Sequence, residues 1–68
     1  MPNYYVNTQA QANGDHEVHQ SSCEHQPALA HRHFLGAFDT CVEAVRAAKK
    51  IYPTADGCYW CSNACHKR

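Results

Sequence analysis

A chain of 68 residues with six acidic and six basic side chains makes one small domain, whose hydrophobic core supplies on the order of 3–5 kcal/mol of net stability and so leaves room for a further staple. The balanced charge argues against electrostatic capture of nucleic acid or of an acidic membrane surface, and no apolar run reaches the about 20 residues of a transmembrane helix. The six histidines qualify the balance, because below about pH 6.5 their protonation turns the chain cationic.

Five cysteines are an odd number, so pairing alone cannot use them all. Residues 1–9, Met-Pro-Asn-Tyr-Tyr-Val-Asn-Thr-Gln, hold neither the basic n-region nor the apolar h-region of a secretory signal, which predicts a cytoplasmic location. In a reducing compartment clustered cysteines are metal ligands, catalytic groups or buried thiols more often than structural disulfides.

In chain order, Tyr4-Tyr5-Val6 is an aromatic and β-branched run and His16-Glu17-Val18-His19 a short alternating one. Together they predict an antiparallel pair. Asn13-Gly14-Asp15 between them carries the hairpin signal, since Asn and Gly tolerate positive φ, and the length from Asn7 to Asp15 predicts a wide polar connection. Gln20 to Arg32 reads as a loop. His33 to Phe38 is a third strand, with Gly36 marking a bulge or a close backbone approach. Thr40-Cys41-Val42-Glu43 matches a capping box and starts a helix. Its apolar stripe is Cys41, Ala44, Val45, Ala48, Ile51 and Tyr52, while Arg46, Lys49 and Lys50 face outward and suit the negative end of the dipole. Pro53 stops it near Tyr52, and Asp56-Gly57 is a turn. The expected fold is α+β: a small three-stranded antiparallel sheet (β-β-β-α) with the helix on one face and a cysteine-rich C-terminal segment, in a single domain over residues 1–68.

That C-terminal segment concentrates the chemistry. Cys58-Tyr-Trp-Cys61-Ser-Asn-Ala-Cys65-His66 has C-x2-C-x3-C-H spacing. As a helix it puts three thiols on one face. As a knuckle, Cys58 and Cys61 reach one tetrahedral ion, and zinc asks for four such ligands. The expected set is Cys58, Cys61, Cys65 and Cys23, a thiol otherwise out of place in a polar loop, with His19 or His66 as alternative fourth ligands. The opposing readings are buried or partly oxidised thiols without metal, Cys23 being open to a disulfide as much as to a metal, and a dithiol redox pair at Cys58 and Cys61. The redox pair requires an exposed Cys58 of low pKa at a helix N-terminus, and the chain lacks the βαβ context that makes C-x-x-C persuasive.

His16 to His19 is one residue short of a zinc-protease motif, and on a strand the two histidines point to opposite faces. Glu17 and His19 share one face, His16 and Val18 the other. Cys41 reads as a core thiol whose nearest neighbour is a thiol from the tail. His25, His31 and His33 have no ligand spacing and read as solvated. Tyr4, Tyr5, Phe34, Phe38, Tyr59 and Trp60 suggest a base-stacking platform, but no basic groove accompanies them, which argues against nucleic acid and leaves a protein as the partner to expect, if any.

The series Tyr4-Tyr5-Val6-Asn7, Asn13 to His19, Cys23, Leu35-Gly36-x-Phe38-x-x-Cys41, Glu43-Ala44-Val45, Ala48, Tyr52-Pro53 and Gly57-Cys58-Tyr59-x-Cys61-x-x-x-Cys65-His66 resembles a family of small bacterial proteins of unassigned function. The resemblance spans nearly the whole chain. It implies a bacterial stand-alone domain and no particular activity. The expectation is therefore a non-enzymatic domain with a structural zinc site. A thiol-disulfide redox protein and a protein or nucleic-acid interaction module are the alternatives.

Overall fold

The structure is a computed structural model that describes residues 1–67. Strands β1 (Asn3–Asn7), β2 (His16–Gln20) and β3 (Arg32–Ala37) are followed by helix α1 (Cys41–Lys49) and a short strand β4 (Ala55–Gly57), with 3-10 turns at Leu29–His31 and Asn63–Cys65. The strands form one sheet in the order β3-β1-β2-β4.

The predicted antiparallel pair is present, with Tyr4 opposite Gln20, Tyr5 opposite His19 and Val6 opposite Val18. Its connection is wide and polar. Gly14 sits at φ +89°, and Asn13 holds Asp15 through a backbone N–H donated to Asn13 Oδ1 at 3.0 Å. On the other side of β1, Tyr4 faces Gly36 while Tyr5 faces Phe34. Leu35 is thus the extra residue of a bulge, and Gly36, at φ +128°, supplies a backbone angle that side chains rarely allow.

The sheet differs from the expected three antiparallel strands in having a fourth, parallel one. Asp56-Gly57 is strand rather than turn: Ala55 to Gly57 pair with His16 to Val18. Since β2 and β3 are both antiparallel to β1, the segment β3-α1-β4 is a crossover between parallel strands at opposite edges of the sheet. Three residues, one of them Gly and one Asp, carry little strand propensity. Their pairing is imposed by the helix that delivers them.

That helix covers one face of the sheet. Tyr4, Val6 and Val18 pack against Ala44, Val45, Ala48, Ala55 and Cys65, with Leu35, Phe38, Cys41 and Tyr52 around the margin. The buried Tyr4 hydroxyl accepts a hydrogen bond from Gln20 Nε2 at 3.3 Å, which offsets the cost of burying it. Two expectations for the helix are corrected. Thr40 is the N-cap in extended conformation but makes no side-chain cap bond; the first turn closes through Ala44 N–H to Thr40 C=O. The helix also ends earlier, because Ile51 and Tyr52 both donate to Ala48 C=O. This tightens the last turn ahead of Pro53 and leaves Ile51 exposed.

After β4 the chain folds back on itself. Cys58 N–H extends the parallel ladder to Val18 C=O, Ser62 N–H returns to Cys58 C=O, and Cys65 N–H to Ser62 C=O. Cys65 and Cys41 form a disulfide that spans 24 residues with Cα atoms 6.2 Å apart. Closing such a loop restricts the unfolded chain by about 3.5 kcal/mol in the chain-entropy account. Such bonds are rare in cytosolic proteins and common in oxidising compartments. No helix among the described residues is long and apolar enough to cross a membrane.

Gly57 is what permits the fold-back. A Cβ there would meet Ser62 O at 2.6 Å, Cys65 Cβ at 2.7 Å and Cys65 C at 2.8 Å. Two of the three are backbone atoms that cannot swing aside. Gly57→Ala is therefore expected to destabilise the domain by about 1–3 kcal/mol through overpacking, read as a lowered midpoint in thermal or urea unfolding. An unchanged midpoint would mean that the tail does not lie against β4.

Candidate metal centre

The parallel pairing of β2 and β4 brings two carboxyl ends of strands together. His19 is near the end of β2, and Cys58 follows β4 directly. Val18 faces the helix-covered core, so His19 faces the other side of the sheet, as strand alternation predicts. The loop after β2 then turns, with Cys23 N–H donating to Gln20 C=O, and carries Cys23 back over the same side. The knuckle Cys58 to Cys61 completes the group.

One ligand atom from each of His19, Cys23, Cys58 and Cys61 lies within 4.8 Å of all the others. Cys23 Sγ is 4.0 Å from Cys58 Sγ, and Cys61 Sγ is 3.9 Å from His19 Nδ1. Around a tetrahedral zinc the ligand atoms stand about 3.5–3.8 Å apart, given the usual Zn–S and Zn–N bonds. These two separations need shifts of only a few tenths of an ångström, and the remaining ones, all within 4.8 Å, shifts of at most about 1 Å, to meet that geometry.

The surroundings suit thiolates and a directed imidazole. Trp60 N–H donates to Cys58 Sγ at 3.4 Å, and Gln20 N–H to Cys61 Sγ at 3.3 Å. His19 is buried at 1% exposure, and its Nε2 lies 3.5 Å from Glu17 Oε1. The carboxylate thus fixes the ring so that Nδ1 faces the thiols, the arrangement that orients metal-bound histidines. Burial lowers the His19 pKa against the raising influence of Glu17, which keeps the ring in the neutral form that ligates.

Burial, with a hydrogen bond to Cys61 second, pushes the Cys23 thiol up to about 12. Burial also raises Cys58. Neither is the activated thiolate of a redox dithiol, which needs an exposed sulfur of lowered pKa, and Cys58 is only 1% exposed. A bound ion would supply what the protein environment does not, since a coordinated thiol is deprotonated.

Three of the four expected ligands, Cys23, Cys58 and Cys61, meet in this cluster. Cys65 does not, because it is bonded to Cys41, and His19 stands in the fourth place. The separation has a local cause. The 3-10 turn Asn63–Cys65 rotates the chain away from the knuckle, so Cys65 reaches the core side of the sheet while Cys61 stays on the cluster side. His66 also points elsewhere, with Nδ1 at 3.0 Å from Gly57 O and 3.3 Å from Asp56 Oδ2. Asp56 in turn accepts the Lys67 N–H at 2.9 Å, which ties down the tail. His16 stacks on Tyr52 at 3.9 Å and takes no part. The signal that selects His19 is its i, i+2 relation to Glu17, which puts ligand and orienting carboxylate on one face.

Comparison with protein-family models, curated proteins and solved structures finds no significant match to this chain.

The role of Glu17 is open to measurement. Replacing the carboxylate in Glu17→Gln is expected to weaken metal binding about 10- to 100-fold, read by competition against a chelator of known affinity. An unaltered affinity would mean that Glu17 does not orient the histidine.

Proposed function

We propose that this protein is a small Cys3His metal-binding module in which zinc, held by His19, Cys23, Cys58 and Cys61, staples the C-terminal segment to the sheet. The observation that carries this reading is the convergence of four ligand atoms from three separate segments within 4.8 Å. Soft thiolates with one imidazole favour zinc among the common divalent ions. Four protein ligands leave no open position for water, so the ion's role is structural rather than catalytic.

The odd cysteine count supports the same reading. Two thiols are spent in the Cys41–Cys65 disulfide, and the remaining three are the ones that cluster. A small core then has two staples on opposite sides of one sheet.

One observation favours an interaction role for the same module. Tyr59 and Trp60, the two residues between the knuckle cysteines, are 53% and 66% exposed. An ion in the knuckle would hold these rings outward, and exposed Trp and Tyr are favoured anchors for a protein partner.

The reading predicts one zinc per chain in the reduced-knuckle protein, measured by elemental analysis with intact mass, and a lower unfolding midpoint on chelation. His19→Ala and Cys23→Ser should each lose stoichiometric zinc. The double variant Cys41→Ser with Cys65→Ser should keep it, because it removes only the disulfide. Loss of zinc in the double variant with retention in His19→Ala would return the ligand set to the four cysteines Cys23, Cys58, Cys61 and Cys65.

A further inference from the structure

We infer that the cluster is an oxidative modification site: a small peroxide entering beside Trp60 joins Cys23 to Cys58 as a disulfide and discharges the ion. The inference rests on the Cys3His reading above and concerns how that site is regulated.

The four ligands are not equally sheltered. His19 and Cys58 are each 1% exposed, whereas Cys23 and Cys61 are only partly buried. A cleft of about 290 Å³ lies against those two, lined by Ser22, Cys23, Glu24, His25, Trp60 and Cys61. Its wall is the Trp60 ring, stacked on His25 at a centroid distance of 4.9 Å. Here half of the ligand shell faces an opening wide enough for several water-sized molecules.

The two cleft-facing thiols are held by different partners. Cys61 is held by the Gln20 N–H, and the backbone of its knuckle is pinned at Cys58 by Val18 C=O and by Ser62 N–H. Cys23 sits on the connection between β2 and β3, its N–H donated to Gln20 C=O and its C=O accepting the Gln26 N–H. Its sulfur is 4.0 Å from that of Cys58, so an approach of about 2 Å makes the bond.

The chemistry balances with peroxide as the only co-reactant. A metal-held Cys23 thiolate attacks one peroxide oxygen, and the O–O bond breaks to leave a sulfenic acid and hydroxide. The Cys58 thiolate then attacks that sulfur, the S–O bond breaks, and a second hydroxide leaves as the disulfide forms. Two electrons pass from the two sulfurs to the peroxide. Only Cys61 and His19 remain as donors, too few for a tetrahedral zinc site, so one ion departs per disulfide. Thiol reductants reverse the step and restore the site.

The test uses the zinc-loaded chain treated with hydrogen peroxide, with release followed by a chromophoric zinc indicator and the new bond located by peptide mapping. The expected result is one zinc released as the mass falls by two hydrogens, with the bond mapped to Cys23 and Cys58. Trp60→Ala, which removes the ring that walls the cleft and keeps the backbone N–H donated to Cys58 Sγ, should speed release severalfold when compared at equal zinc loading. Retention of zinc through excess peroxide, a bond mapped to Cys58 and Cys61, or an unaltered rate in Trp60→Ala would overturn the inference. A reduced chain that takes up no zinc overturns the Cys3His reading as well, whereas uptake without peroxide-driven release overturns this one alone.

Discussion

The hydrogen bond from Cys58 N–H to Val18 C=O is the constraint on which the arrangement depends. It extends the parallel pairing of β4 with β2 by one residue, and that residue is the first knuckle cysteine. Because the neighbouring position on β2 is His19, the same ladder that ends the sheet sets a thiol beside an imidazole. The register leaves no slack: a slip of one residue would turn His19 into the core and Val18 out of it. Val18 is fully buried against the helix, so the apolar face of the sheet enforces the polar geometry on its other side.

The helix and the cluster are therefore linked through the sheet although they lie on opposite faces of it. Helix α1 presents mainly small side chains, Ala44, Val45 and Ala48, and carries the chain from the β3 edge to the β4 edge. Without that crossing, residues 55–57 have neither the length nor the composition to be a strand. The Cys41–Cys65 disulfide fastens the start of the helix to the end of the tail. Gly57 lets the intervening chain lie close enough for both the disulfide and the knuckle to form at once. The two cysteine groups thus share one turn of chain and divide it between two sides of the sheet.

Much of this was legible in the residues. The β-branched and aromatic run Tyr4 to Val6 and the alternation in His16 to His19 identified the antiparallel pair, the glycine at 36 marked a bulge or a close approach, of which the bulge is present, and the period of Ala44, Val45 and Ala48 identified the helix. Pairing Glu17 with His19 on one face followed from the period of two. What local pattern did not carry was anything set by distant chain. β4 is created by its neighbour. The choice between Cys65 and His19 turns on a 3-10 turn, Asn63–Cys65, whose sequence has no distinctive propensity. Spacing showed that thiols were near one another along the chain, and only the path of the backbone decided which of them faced the same way.

The division of the cysteines also explains how so small a chain can carry two kinds of sulfur chemistry without confusing them. Five thiols in a flexible 68-residue chain would exchange freely, since any thiolate can attack any disulfide it reaches. In the folded chain the sheet stands between the Cys41–Cys65 bond, packed against the core, and the cleft that reaches Cys23 and Cys61. Burial holds Cys23 and Cys58 as thiols rather than thiolates, which slows exchange further until an ion is bound. An ion at the cluster would then compete with mispairing during folding as well as stapling the tail afterwards. On this account the unequal exposure of the four ligands follows from the architecture: the two on strand-like backbone, His19 and Cys58, are sealed by the sheet, and the two on loop and knuckle are left to face solvent.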